Sequence, residues 1–378
     1  MRGFERSEYE MRLTRAQDGM SRAGLGALLL TTEAEIRYFT GYLTRFWESP
    51  SRPWFLVIPA RGKPVAVIPS IGAALMAKTW VEDIRTWSSP DPQDDGISLL
   101  ADTLREVTGA GHVGMPMGRE SVLRMPMNDF NLLEAELGTL AIIDDGGLVA
   151  ALRAAKSPAE IAKIRQACQI AGRAFDRVPE IATPGVPLAQ VFRQFQSLCL
   201  DEGADWVPYL AGGAGALGYD DVISPATDTP LQAGDVLMLD TGLVFDGYFS
   251  DFDRNWALGR ADPKALDAWH RLQEATAAAR DIARPGTTAA ELFHAMHRIV
   301  GGGEAGRLGH GLGMQLTEGL SLIPGDHTVL QPGMVITLEP GIALDGGGIM
   351  VHEDVFAVTD YGVDQLSPPA APDLPVIS

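Results

Sequence analysis

The chain has 378 residues, 46% of them hydrophobic and 21% charged, with a formal net charge of −19. At about 150 residues per domain this is apolar material for two domains, and so acidic a surface repels phosphate backbones and anionic bilayers, which argues against nucleic acid and membrane as partners. Two cysteines, Cys168 and Cys199, are too few for a disulfide framework; both sit in apolar, helix-like stretches and read as buried free thiols of a reducing compartment.

The opening segment, MRGFERSEYEMRLTRAQDGM, is charged throughout, has no apolar h-region and predicts an amphipathic helix. No apolar run reaches about 18 residues, so the cytoplasm is the expected location. A strand is predicted over 26–32, followed by EIRYFTGY at 35–42. WFLVIPA (54–60) and KPVAVIPS (63–70) flank Arg61-Gly62, a hairpin signal. A helix is expected near 96–108 and strands at 112–116 and 140–145. Strands alternating with helices predict a small α/β domain over 1–150. The second domain, 151–378, starts with a helix over 159–179, where Ser157 caps, Pro158 takes the first turn and Glu160 completes a capping box. Helices are predicted near 187–201, 263–283 and 288–300, and strands near 235–258, 334–344 and 348–358. The tail from Pro368 to Ser378 reads as extended. The Gly-rich LAGGAGALGYDD (210–221) lacks the Lys-Ser/Thr ending of a phosphate loop.

The strongest local argument lies in DVLMLDTGLVFDGYFSDFDRNWALG (235–259). Asp246-Gly247 predicts a type I′ turn, which sets Phe245 opposite Tyr248, Asp251 opposite Gly242 and Asp240 opposite Asp253. Side chains alternate with period two, so Asp240, Asp251 and Asp253 share a face, and Arg254 points to the other. Carboxylates crowded on one face repel unless a cation lies between them; the alternative is a solvated acidic hairpin. Oxygen ligands suit Mn²⁺, Mg²⁺ or Ca²⁺, and Zn²⁺ when imidazole joins them.

Glycines flank His310 in RLGHGLGMQLTEG, leaving room for close backbone approach; a purely structural histidine is the alternative. Glu339 closes the apolar strand MVITLEPGI, and Glu353 lies inside another apolar strand, places where a carboxylate needs a partner. His352 points away from Glu353, either behind the site or on a polar surface. Four carboxylates and one imidazole suffice for two divalent ions that activate water for hydrolysis.

LRAAKSPAEIAKIRQACQIAGRAF, LQAGDVLMLDTG, YFSDFDRNW, GHGLGM, LEPG and the Glu353 strand follow one another as in the pita-bread metallohydrolases, and EIRYFTGY with its neighbouring hairpin resembles the creatinase/prolidase N-terminal domain. The resemblance covers nearly the whole chain and implies an α+β molecule, a creatinase-like domain followed by a pita-bread catalytic domain. The spacings of Asp240 to Asp251, 11 residues, and of His310 to Glu339, 29 residues, fit the aminopeptidase P branch. It further implies that Asp240 holds one ion, that Asp251 and Glu353 bridge two, that His310 and Glu339 complete the second, and that Glu339 is the general base toward the attacking water. The ions would be Mn²⁺ first, with Co²⁺, Zn²⁺ or Fe²⁺ as alternatives, in a homodimer that cleaves the C–N bond of an Xaa-Pro-type dipeptide.

The chain departs from the peptidases at three positions. Ile223 stands 17 residues before Asp240, where they carry a histidine; Thr317 stands seven after His310, where they carry another; and Val351 stands where an arginine often precedes the last glutamate. Asp253 replaces the usual threonine. A small-molecule hydrolase or lyase acting on a zwitterion, similar to ectoine hydrolase or dimethylsulfoniopropionate lyase, is therefore the second reading, and a binding protein on this scaffold the third. Gly242 argues against the lyase, which would carry an extra metal-binding Asp there. Candidate substrate contacts are Trp47 and Trp54 in RFWESPSRPW (45–54), which either form a lid or pack in a core, with Tyr209, Tyr219 and Thr317.

Overall fold

The computed structural model describes residues 2–49, 52–302 and 306–378. The chain divides into two compact units, one running to Arg153 and the other starting at Ala154.

The first unit is a sheet backed by helices. Helix α1 (Arg6–Ala23) ends on Gly24 at φ 68°, a left-handed conformation that spares any Cβ penalty. Strand β1 (Leu25–Leu30) is buried along its whole length, the mark of a central strand covered on both faces. EIRYFTGY contributes to helix α2 (Glu33–Thr40), because Thr32 and Glu35 form a capping box and Gly41 at φ 76° stops the turn. The predicted hairpin is present: β2 (Phe55–Pro59) and β3 (Val65–Pro69) run antiparallel with Phe55 opposite Val67 and Val57 opposite Val65. Short α3 (Ala73–Met76) leads to β4 (Asp83–Trp87), whose side chains are exposed or half-buried and so give no apolar pattern. Helix α4 (Ile97–Thr108), β5 (His112–Met115), α5 (Met127–Leu137), β6 (Ile142–Asp144) and α6 (Leu148–Ala154) follow. The sheet order is β4-β3-β2-β1-β5-β6, with α4 and α5 supplying Leu100, Leu104, Leu133 and Leu137 to one face.

The second unit starts with α7 (Pro158–Asp176), where the Ser157–Glu160 capping box and Pro158 stand as expected. Helix α8 (Leu188–Asp201) precedes β7 (Trp206–Gly215). Then come β8 (Val236–Phe245), β9 (Tyr248–Phe249), β10 (Phe252–Leu258), α9 (Pro263–Ile282) and α10 (Ala289–Val300). Strands β11 (Val335–Leu338), β12 (Gly341–Ala343), β13 (Ile349–Val351), β14 (Asp354–Val358), β15 (Val363–Gln365) and β16 (Val376–Ile377) complete the unit. One sheet runs β16-β10-β8-β7 with β9 paired to β8; β11, β14 and β15 form another. Trp269, Leu272, Phe293 and Met296 of α9 and α10 pack with Val236 and Met238 of β8 and with Ile336, Leu338 and Phe356. The extended tail gains a role, because Val376 and Ile377 pair in parallel with Ala257 and Leu258.

Half of the Gly-rich segment is strand, a difference from the sequence reading. Glycine is poor in strands by propensity, but here β7 presses on its neighbours. A Cβ on Gly212 would lie 2.3 Å from the Met238 carbonyl, and one on Gly213 would lie 2.6 Å from the Tyr219 side chain.

Candidate metal centre

The hairpin takes the predicted register. Asp246 at φ 48° and Gly247 at φ 83° make the primed turn, Phe245 pairs with Tyr248, and Asp240 pairs with Asp253. Strand β8 is internal, between β7 and β10, so Asp240 also has Ala211 on its other side. The turn is anchored from below: Lys163 of α7 forms a buried ion pair with Asp246, and the Tyr248 hydroxyl lies 2.9 Å from Glu160. Arg254 turns to the other face, stacks on Phe252 and meets Asp354 at 3.0 Å.

His310 is clamped by backbone. Its N–H donates to the Thr337 hydroxyl at 3.1 Å, and its carbonyl accepts from Thr337 N at 2.7 Å. Glycines are required beside it: a Cβ on Gly309, at φ 137°, would lie 2.3 Å from the Thr337 carbonyl. The imidazole Nδ1 lies 3.0 Å from the Gly311 carbonyl. A carbonyl can only accept, so Nδ1 carries a proton and Nε2 is the nitrogen left facing inward. There Nε2 meets Asp251 Oδ2 at 3.3 Å and Glu353 Oε1 at 3.7 Å. Asp251, His310 and Glu353 thus bring ligand atoms within 4.8 Å of one another, all buried.

Asp240 and Glu339 join this group electrostatically. Burial, then Asp251, Asp253 and Glu339, hold the Asp240 carboxyl well above the usual range. Burial, then Asp251, Glu339 and Asp240, do the same to Glu353. Asp251 is raised by burial against the opposing pull of His310. Glu339 is half-buried and pushed up to about 7, by burial first. Acids that lift one another in this way want a cation among them. Asp240 Oδ1 and Glu353 Oε1 are buried with no hydrogen-bond partner among the described residues. Unsatisfied carboxylate oxygens beside an inward imidazole nitrogen are a donor set that fits divalent metal ions.

Behind the group, His352 lies between two acids, Nδ1 at 3.4 Å from Asp253 and Nε2 at 3.2 Å from Asp354, with the Trp269 ring edge-on at 5.1 Å. It is wholly buried, so the polar-surface alternative is set aside. Burial pulls its imidazole down, but Asp354 and Asp253 outweigh that and lift it to about 9.

A model of metallopeptidase family M24 matches residues 162–360, and one of the creatinase/prolidase N-terminal domain matches residues 12–155. The chain belongs to metallopeptidase family M24. Among M24 relatives it is 30% identical over 371 residues to a probable dipeptidase PepE of Mycobacterium tuberculosis, covering 96% of this chain and 95% of that one. It is 32% identical over 234 residues to the Xaa-Pro dipeptidase of Pyrococcus furiosus, covering 60% of this chain and 66% of the relative. The crystal structure of dipeptidase PepE from Mycobacterium ulcerans superposes with TM-score 0.84 at 28% identity, over 99% of both chains. This M24 chain is accordingly a metal-dependent hydrolase of α+β fold, with a creatinase-type domain ahead of a pita-bread catalytic domain. No helix among the described residues is long and apolar enough to cross a membrane.

The expected substrate contacts of this M24 chain divide. Trp54 is a correction: it is 1% exposed and packs on Tyr42, Phe46 and Trp47, so it builds the core of the first unit and is no lid. Trp47 is half-buried under Arg124, whose guanidinium sits 4.8 Å from its ring and donates to its carbonyl at 2.7 Å. Pro50 and Ser51 of that segment lie outside the described residues. Tyr219 is a second correction: it is buried, its hydroxyl accepts from Val351 N at 2.6 Å and lies 3.4 Å from Asn255, leaving nothing for a substrate. Tyr209 does reach the cluster, and its hydroxyl is raised by burial and then by the nearby Asp240 and Asp251 carboxylates. Thr317 accepts from Arg307 at 3.0 Å. Sequence reasoning missed Arg307, whose charge eases the ionisation of Asp251 and Glu339. It also missed Thr337, which braces His310 and eases the ionisation of Glu353. A buried polar residue inside the apolar run MVITLE was the available signal.

Proposed function

We propose that this chain is a binuclear dipeptidase that hydrolyses the amide bond of Xaa-Pro-type dipeptides. In this reading Asp240, Asp251, His310, Glu339 and Glu353 hold two divalent ions, Mn²⁺ in the first place. The observation that carries it is the pair of buried, unpartnered oxygens, Asp240 Oδ1 and Glu353 Oε1, beside the inward Nε2 of His310. Bound ions would polarise the scissile carbonyl and acidify the attacking water. The chain's own residues do the rest. Thr337 and the Gly311 carbonyl fix the imidazole. Glu339 takes the proton from water and returns it to the leaving nitrogen as the C–N bond breaks. Tyr209, whose hydroxyl feels the Asp240 charge, would orient the substrate. A homodimer and a cytoplasmic location belong to the same reading, and light scattering on purified protein checks the first.

The test is a panel of Xaa-Pro and non-prolyl dipeptides, ectoine and dimethylsulfoniopropionate, offered to protein loaded with Mn²⁺, Co²⁺ or Zn²⁺. Turnover of Xaa-Pro dipeptides, abolished in Glu339→Ala, supports the reading. Turnover of a zwitterionic small molecule alone replaces it with the second reading, which Ile223, Thr317 and Val351 favour. Ile223 is 80% exposed and Thr317 is engaged by Arg307, so neither supplies the imidazole of the related peptidases.

A further inference from the structure

Two oxygens of the expected ligand set, Asp240 Oδ1 and Glu353 Oε1, are buried without a hydrogen-bond partner, and a third carboxylate oxygen among the described residues shares that state: Asp253 Oδ2. The other end of the same carboxyl is fixed. Asp253 Oδ1 accepts the backbone N–H of Glu353 at 3.0 Å and lies 3.4 Å from His352 Nδ1. The group therefore cannot rotate to satisfy Oδ2 without giving up those contacts. Its direction follows from the ladder. Asp253 stands directly opposite Asp240, and opposed residues project from the same face with Cβ atoms about 5 Å apart. Asp253 is 1% exposed, so bulk water does not reach it.

A role limited to bracing Glu353 and His352 would use Oδ1 alone. A buried carboxylate with one bare oxygen is costly unless a cation meets it. We propose that Asp253 is a sixth ligand side chain of the centre, giving Oδ2 to the divalent ion that Asp240 holds. The proposal rests on the metal-centre reading above. It gives this chain one more anionic oxygen than the threonine usual at this position, and a harder donor set that favours Mn²⁺ over Zn²⁺.

The test is Mn²⁺ titration calorimetry, with the Mn²⁺ paramagnetic resonance spectrum, on the full chain and on Asp253→Asn and Asp253→Thr. Asparagine keeps the acceptor for Glu353 N–H, so it preserves the brace while removing the charge. The expected result is a parent that binds two Mn²⁺ and variants in which one of the two is weakened by about tenfold or more, with an altered spectrum and, for Asp253→Asn, no loss of stability in the metal-free state. Two ions bound by both variants within twofold of the parent would overturn the ligand role while leaving the metal centre standing; a parent that binds no Mn²⁺ overturns both. Should the variants fail to fold, a crystal structure of the Mn²⁺-loaded parent decides. Oδ2 within about 2.6 Å of an ion supports the assignment, and Oδ2 beyond contact refutes it.

Discussion

In the metal-free protein, raising the pH should loosen the second unit, and Glu339→Gln should suppress much of that effect. Glu339 ionises near 4.5 in an unfolded chain and is pushed up to about 7 in the fold, by burial with Asp251 adding and His310 and Arg307 opposing. A carboxyl whose folded value is raised stabilises the fold fully below the unfolded value, and that stability is lost as pH climbs through the folded one. At about 1.4 kcal/mol per pH unit, the step from 4.5 to about 7 is worth about 3 kcal/mol. Asp240, Asp251 and Glu353 shift in the same direction. His352, lifted from 6.5 to about 9, adds a loss of the same sign at higher pH, which is why the comparison needs the variant. The assay is urea unfolding in EDTA from pH 5 to pH 8, followed by fluorescence. Parent stability should fall across the range, Glu339→Gln should fall by about 3 kcal/mol less, and Mn²⁺ should reverse the parent's loss by neutralising the cluster. Parallel curves for parent and variant in EDTA, or a parent steadier at pH 8 than at pH 5, would refute the reasoning.

Three further outcomes are expected. His310→Ala should lose more than tenfold in Mn²⁺ affinity, read by calorimetry, because the residue supplies the inward Nε2. Lys163→Met removes one half of the buried Lys163–Asp246 ion pair and should destabilise the protein in denaturant unfolding, with the hairpin's amide exchange rising first. Cys168 and Cys199 should stay unreactive to a thiol reagent in native protein at pH 8 and react on unfolding, since both are buried and burial raises both thiols, Cys199 to about 12.

The hairpin was legible because a two-residue primed turn leaves one register, and that register alone puts Asp240 opposite Asp253. The same logic read the β2–β3 pair and the cap of α7. Strand β7 was not legible, because its glycines answer to the Met238 carbonyl and the Tyr219 ring, contacts between segments that no local pattern encodes. Trp54 and Tyr219 failed as substrate contacts for a related reason: an aromatic beside glycine or proline looks like a loop residue until the partners that bury it are known. Arg307 escaped notice because its Thr317 partner and the acids it eases come together only in the fold. The ligand pattern itself was readable as a set of carboxylates in apolar strands, a placement that local sequence disfavours without a partner.

Residues 353 and 354 are both acids, adjacent in the chain, yet they are chemically opposite. Burial and neighbouring carboxylates hold Glu353 well above its usual value. Asp354, against the same burial, is drawn to about 2 by Arg254, His352 and the Ser367 hydroxyl. A single-residue slip in aligning a relative here would exchange one of the hardest carboxyls in the molecule to ionise for one of the easiest. Alignments meant to judge whether a homologue keeps its centre should therefore be anchored on the basic partner of Asp354, and an inactivating substitution designed by counting acids alone risks dismantling a salt bridge instead of a metal site.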